Sequence, residues 1–227
     1  MWKKLFSDIP FNDNKYWNIC FTFGKLMEKF LVVLQLDAQP KEEKKILIRA
    51  LGQRNIYKFF EKETKKLTEH IKKQSYQDIH SYSETMWLKH DYFFSPLTDK
   101  YGGAIYSVED AMEDLDRFYV LAKLRLASEI KNRERIFSKK VPVQLLEESI
   151  LASEQYVEEN IAFLMYKNVL DLYVPEKAEM AFENGKELLK DKYALLSKHD
   201  QNEVMLNLRN YAIRQLNKGK TNFWREI

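Results

Sequence analysis

Three charged side chains have a spacing that favours direct interaction. Arg125, Glu129 and Arg133 lie four residues apart, so on an α-helix they form a ladder along one face. Such a ladder can join two packed helices, because a buried charge is tolerated when it is paired. The alternative is a polar patch in a groove or pocket. Asp116 and Lys123, seven residues apart on another side, admit the same two interpretations, structural network or binding site.

No other residues form a recognised catalytic or ligand-binding pattern in the sequence. His70, His80 and His90 are spaced by ten, but the segments between them do not form one helix. Paired cysteines, H-E-x-x-H, glycine-rich phosphate loops and G-x-S-x-G are all missing. We therefore predict no catalytic residue, no metal site and no cofactor, and we expect that the protein is not an enzyme.

The charge of the chain is balanced and dispersed. The 37 basic and 34 acidic residues give a net charge of +3, and they are interspersed along the chain. A nucleic-acid-binding protein would show a segregated basic face. No nucleic-acid partner is expected.

The apolar run from Tyr16 to Leu36 carries Lys25, Glu28 and Lys29 in its middle, too many charges for a membrane span. We interpret it as a core helix, with the single Cys20 as a buried thiol. The first residues have no continuous apolar core of a secretion signal. The sequence thus predicts a soluble, cytoplasmic protein with no membrane partner.

Helices must position these residues, because no segment shows the alternation of a strand. With 45% hydrophobic residues and only 6 glycines and 5 prolines, the composition favours an all-α fold. The central helix is predicted from Ser107 to about Ile136. Ser107 and Asp110 have the spacing of a capping box, which marks a helix start.

The predicted central helix is apolar on two sides, so it needs neighbours on two sides. The wider arc consists of Leu115, Phe118, Tyr119, Ala122, Leu126 and Ile130. The narrower arc consists of Val120, Leu124 and Ala127. We expect this helix to lie inside a stack of about nine to ten helices, arranged as irregular antiparallel hairpins in an α-solenoid-like, tetratricopeptide-like array.

The whole chain, 1–227, is predicted to be one all-helical domain with a weak division near 95–106. Its last residues, TNFWREI, resemble the start of a further helix that ends after under two turns. We therefore expect a longer natural protein, in which this C-terminal end could also support self-association.

Aromatic side chains concentrate before the central helix. Trp87, Tyr92, Tyr101 and Tyr106 lie near the longest predicted loop, where binding residues tend to occur. They are either helix-packing residues or an aromatic interaction surface.

Two stretches resemble an uncharacterised bacterial family of long helical-repeat proteins. The first is LDRFYVLAKLRLASEIKNRERI, from Leu115 to Ile136, which is similar to a family pattern of LD-x-FY followed by KLR and E-x-x-NR. The second is NYAIRQLNKGKTNFWREI, from Asn210. This resemblance implies the N-terminal portion of a tetratricopeptide-like solenoid, and it implies no known activity.

These features favour a non-catalytic protein–protein interaction scaffold whose partner is an unknown protein or peptide. A helical-bundle enzyme or small-ligand binder using Arg125, Glu129 and Arg133 is the alternative. Weak nucleic-acid binding is a third hypothesis.

Overall fold

The computed structural model describes residues 10–101, 106–137 and 140–220, with the backbone alone at 99–101 and 135–137. These described residues form ten α-helices and no strand, which confirms the all-α prediction. In chain order the helices are α1 (Asp13–Asp37), α2 (Pro40–Gln53), α3 (Tyr57–Lys72), α4 (Ile79–Phe93), α5 (Pro96–Tyr101), α6 (Val108–Phe137), α7 (Leu146–Ser153), α8 (Ile161–Asp171), α9 (Ala178–Lys192) and α10 (Lys198–Asn217). Short 3-10 turns follow α7 and α9, at Glu154–Tyr156 and Tyr193–Leu195.

The chain divides into two compact units, Met1–Glu63 and Thr64–Ile227, and the division falls inside α3. The weak division predicted near 95–106 stays a prediction, and residues 102–105 of it lie outside the described part. Residues 221–227, predicted to begin a further helix, also lie outside it. None of the helices in the described ranges combines the length and apolar character needed to span a lipid bilayer.

The first unit contains α1, α2 and the start of α3. Asn12 caps α1, since its side chain accepts a hydrogen bond from the backbone N–H of Lys15 at 2.9 Å. Pro40 occupies the first turn of α2, where its missing N–H costs nothing. The α1 helix is therefore as predicted, but its predicted place in a core is wrong, because no residue of α1 is buried.

In the second unit, α6 packs against α4, α7 and α8. Its predicted capping box is confirmed: the Ser107 N–H donates to Asp110 Oδ2 at 2.9 Å, and the Asp110 N–H donates to Ser107 Oγ at 3.2 Å. The hydrogen bond from the Ser107 backbone lowers the pKa of the Asp110 carboxyl. Local sequence thus fixes where this 30-residue helix begins.

The two apolar arcs of α6 differ in burial. The narrower arc is the buried one, and Leu121 joins Val120, Leu124 and Ala127 in the core. In the wider arc, Leu126 is 61% exposed and Tyr119 is 42% exposed. The side on which α4 and α8 lie decides which arc is covered, and the number of apolar residues does not.

The core of the second unit continues through α8, α9 and α10, which pack on one another. Aromatic rings hold these layers together: Phe182 of α9 lies 5.1 Å from Tyr211 of α10, between ring centroids. On α8, Asn168 donates from Nδ2 to the backbone carbonyl of Ala181 at 2.7 Å. A buried amide therefore links α8 to α9.

Asn160 ties the start of α8 to a distant segment. Its Oδ1 accepts from the Ala162 N–H at 2.9 Å and so caps α8. Its Nδ2 donates to the Gln77 carbonyl at 2.6 Å and to the Tyr82 hydroxyl at 2.8 Å. One buried side chain thereby caps α8 and also donates hydrogen bonds to a loop and to α4.

Gly185 marks the closest approach of α9 to its neighbours. A Cβ at this position would lie 2.7 Å from Leu208 Cδ2 and 3.1 Å from Asn168 Nδ2. We expect Gly185→Ala to lower the free energy of unfolding by about 1–3 kcal/mol, because overpacking forces buried neighbours to move. Urea unfolding followed by circular dichroism measures this change.

Gly24 is the matched control, since it is also helical and a Cβ there would meet nothing within 4 Å. Gly24→Ala should not destabilise, because alanine favours a helix by about 0.5–1 kcal/mol over glycine. Equal effects of the two substitutions would contradict the close approach at Gly185.

Candidate functional site

The predicted ladder of Arg125, Glu129 and Arg133 is divided between two sets of contacts. Arg133 Nε lies 3.9 Å from Glu129 Oε2, with the two side chains 73% and 39% exposed, so this ion pair is weak. Arg125 points elsewhere: its Nη2 lies 2.6 Å from Nε2 of His199 on α10. The ladder is therefore part of a contact between α6 and α10.

Glu203 of α10 is the buried carboxyl of this contact. Its Oε1 accepts a hydrogen bond from Asn207 Nδ2 at 3.1 Å, and Ser128 Oγ of α6 lies 3.4 Å from the same oxygen. Burial raises the pKa of Glu203, and the negative charge of Glu129 raises it further. Glu203 therefore holds its proton above the usual range of a glutamate.

A second buried carboxylate, Asp200, lies one turn earlier on α10. It accepts hydrogen bonds from the hydroxyls of Tyr76 at 2.7 Å, Tyr166 at 2.5 Å and Ser197 at 2.7 Å. Burial, followed by the Asp200 charge, raises the pKa of both tyrosines. The Asp200 N–H also donates to Ser197 Oγ at 3.1 Å, so Ser197 caps the start of α10. This arrangement is that of a structural junction with satisfied acceptors.

The raised pKa of Glu203 sets the direction of a pH effect. The folded chain keeps a proton on Glu203 at pH values where the unfolded chain, with an ordinary pKa of 4.5, has released it. Stability from this group is complete below that value and is lost as the pH rises through the folded pKa. We expect Glu203→Gln to raise the free energy of unfolding near neutral pH and to change it little below pH 4.5. Chemical denaturation at the two pH values measures this.

Glu154 supplies a control of opposite sign. Its pKa is lowered by a hydrogen bond from Lys167 Nζ at 2.9 Å, so its contribution is present above the unfolded pKa and is lost as the pH falls. Glu154→Gln should lose a little stability near neutral pH and none in acid. A gain for both variants near neutral pH would show that the Glu203 result is not caused by its burial.

The four predicted aromatic surface residues do not share one environment. Trp87 is 52% exposed, and its ring lies 5.4 Å from that of His90. Tyr92 is fully buried, which supports the helix-packing interpretation for this residue. Tyr106 is half-buried against Tyr92, with 5.8 Å between ring centroids. The side chain of Tyr101 lies outside the described residues.

Asp116 and Lys123 have different surroundings. Asp116 is exposed at the edge of a cleft of about 320 Å³ between α6 and α7. Lys123 Nζ instead lies 5.7 Å from the centre of the Tyr119 ring, a cation–π contact. A second cleft, of about 430 Å³, contains Lys131 and Arg214 at its edges. Neither cleft is lined by the ladder residues 125, 129 and 133.

Metal ions in proteins are bound by histidine, cysteine and acidic side chains. Within the described ranges, no three or more of them converge on a position that could hold a metal ion.

The largest anomaly is the surface of α1. Over its 25 residues, aromatic and aliphatic side chains on every side remain largely exposed. The strongly exposed ones are Trp17, Phe21, Phe23, Leu26, Phe30, Leu31, Val32, Val33 and Leu34, between 52% and 69%. Lys25 and Glu28 pair at 2.9 Å in the middle of the helix. Such a helix is normally covered, because hydrophobic residues all round are typical of a buried helix.

Compared with protein-family models, with curated proteins and with solved structures, the chain has no match in any of the three.

Proposed function

We propose that this protein is a non-catalytic interaction scaffold that binds a helical segment of a partner protein through α1. The exposed apolar surface of α1 is the observation that carries the proposal. Trp17 and Phe21 lie on one side of α1 and Phe23 and Phe30 on another, and each pair presents roughly 200–300 Å² of apolar surface beside further exposed aliphatic side chains. Exposed patches larger than a few hundred Å² mark interaction sites in soluble proteins.

The shape of α1 favours a helical partner. A helix of 25 residues is a rod of about 37 Å that offers ridges of side chains and no free backbone edge. An extended peptide binds by adding a strand to an open sheet edge, which α1 cannot provide. Another helix can interdigitate with its ridges. The partner surface is therefore expected to be an apolar or amphipathic helix.

The arrangement proposed for the scaffold is a tetratricopeptide-like stack of helical hairpins. It is supported by the packing of consecutive helices, since α8 packs on α9 and α9 on α10. In such stacks each hairpin buries its apolar face against the next one.

Site-specific photo-crosslinking in the native cell tests the proposal. A photoreactive amino acid at position 21 should give a reproducible covalent adduct with one partner protein, because Phe21 is 69% exposed on α1. Position 151 on α7 is the matched control, since Leu151 is also 69% exposed. Adducts at both positions with the same proteins, or at neither, would reject α1 as the docking helix.

A further inference from the structure

We propose that α1 pairs with α1 of a second copy of this chain, in antiparallel orientation, with the two-fold axis between Leu26 and Met27. The inference rests on the proposed function of α1 as a docking helix. It assigns a second copy of the chain to one side of this helix. Trp17 and Phe21 are exposed apolar residues outside this side, so a second side remains for a different protein.

One side of α1 carries a heptad pattern. Apolar side chains alternate at intervals of four and three, at Ile19, Phe23, Leu26, Phe30 and Val33. At about 100° per residue these positions lie within about 70° of one line along the helix. They define the α1 stripe, together with the flanking Tyr16, Cys20, Met27 and Leu34. A stripe of this spacing is the packing surface of a coiled coil.

Charged residues lie away from the α1 stripe. Lys25 and Glu28 project about 150° from its centre line, and Lys29 projects about 110° from it. Lys25 and Glu28 already pair with each other at 2.9 Å, and Lys25 Nζ lies 5.6 Å from the centre of the Phe21 ring. Pairing through the α1 stripe therefore buries none of the charged side chains in the middle of α1.

The α1 stripe has a similar apolar pattern in both directions along the helix. An antiparallel two-fold pair brings residue i opposite residue j and residue j opposite residue i. From Ile19 to Leu34, each apolar residue of the stripe is opposed by another apolar residue about the point between Leu26 and Met27. The opposed pairs are Ile19 with Leu34, Phe23 with Phe30, and Leu26 with Met27.

The ends of α1 select the antiparallel direction. This pairing brings Lys15 beside Asp37 of the second copy at each end of the stripe, which places opposite charges together. A parallel pair would instead bring the two Asp37 carboxylates face to face, because position 37 continues the heptad. Antiparallel macrodipoles also attract each other, whereas parallel ones repel.

The area is sufficient for a stable pair. Phe23 and Phe30 are 62% and 56% exposed, and Leu26, Val33 and Leu34 are 52–59% exposed. Aromatic side chains can bury about 150–250 Å² each. With the aliphatic positions of both copies, the pair would bury on the order of 1,200 Å², the lower bound of stable interfaces.

Light scattering on the full chain tests the pairing. The native protein should have twice the mass of the 27.2 kDa chain. Phe23→Glu with Phe30→Glu should give a monomer, because it places four carboxylates in the stripe. Phe21→Glu with Val32→Glu is the matched control on the opposite side of α1, and it should remain a dimer. Unchanged helical circular dichroism and thermal unfolding of the full chain would show that the variants are folded.

Thiol crosslinking tests the direction. In the antiparallel pair the two Cys20 side chains lie about 20 Å apart along the axis, so a short bifunctional thiol reagent should not join native chains. Leu34→Cys should crosslink efficiently, because Cys20 lies beside position 34 of the second copy. Val32→Cys, on the opposite side, should not. Efficient crosslinking of the native chain through Cys20 alone would overturn the antiparallel pair.

Failure of this inference is distinguishable from failure of the proposed function. A monomer whose position 21 still crosslinks to another protein would overturn the self-pairing and leave the scaffold proposal intact. A monomer that binds lipid vesicles through Phe23 and Phe30 would overturn the self-pairing in favour of a membrane surface. A dimer without any adduct at position 21 would support the pairing and reject the partner.

Discussion

Lys89→Ala is expected to lower the free energy of unfolding of the second unit by about 3–5 kcal/mol. Lys89 is only 2% exposed, and its Nζ lies 2.5 Å from Asp114 Oδ2 and 3.0 Å from the Asp110 carbonyl. Removing the ammonium leaves the Asp114 carboxylate buried. Arg117, 4.0 Å from Asp114 Oδ1, is too distant to replace it fully.

Urea unfolding of single and double variants separates charge from packing. Lys89→Met with Asp114→Leu should recover most of the loss, because replacing a buried pair with apolar side chains is often neutral or stabilising. Arg133→Ala, which removes an exposed pair with Glu129, should cost under about 1 kcal/mol. If the double variant is as unstable as Lys89→Ala, the loss comes from packing and the ion-pair explanation is wrong.

Asp200→Ala is expected to lower the free energy of unfolding by about 3–5 kcal/mol, since it removes the acceptor of two largely buried tyrosine hydroxyls and of the Ser197 hydroxyl. Tyr76 and Tyr166 come from a loop and from α8, so Asp200 joins three segments of the second unit. A tyrosine hydroxyl buried without an acceptor loses its hydration with no compensation.

Removing the hydroxyls as well tests this reason. The triple variant Asp200→Ala, Tyr76→Phe, Tyr166→Phe should be more stable than Asp200→Ala alone, because no unsatisfied hydroxyl remains. Thermal and urea unfolding of the three proteins give the comparison. A triple variant that is less stable than the single one would indicate that the tyrosines find other acceptors, and it would contradict the explanation by unsatisfied hydroxyls.

Features that depend on residues close together in the sequence were predictable. The start of α6 was predictable from Ser107 and Asp110 because a capping box involves residues three apart. Burial was not predictable in the same way. Leu126 and Val120 are both apolar residues of α6, yet one is 61% exposed and the other 5%, because α4 and α8 cover one side.

The polar contact between α6 and α10 was only half predictable. The spacing of Arg125 and Glu129 suggested partners on the same helix, but His199 and Glu203 lie more than seventy residues further along the chain. A signal was present on α10, where Glu203 and Asn207 interrupt the apolar side formed by Val204, Leu208 and Tyr211. Polar residues at helical spacing within an apolar face indicate a buried network.

The hydrogen bonds of Asn160 also order events during folding of the second unit. Its bond to Ala162 spans two residues and can form as soon as α8 begins. Its bonds to Gln77 and Tyr82 span 83 and 78 residues, so they require closure of a long loop with its entropy cost. The capped start of α8 can thus form early, whereas its attachment to α4 forms only after the chain has collapsed. Contacts of such separation slow folding.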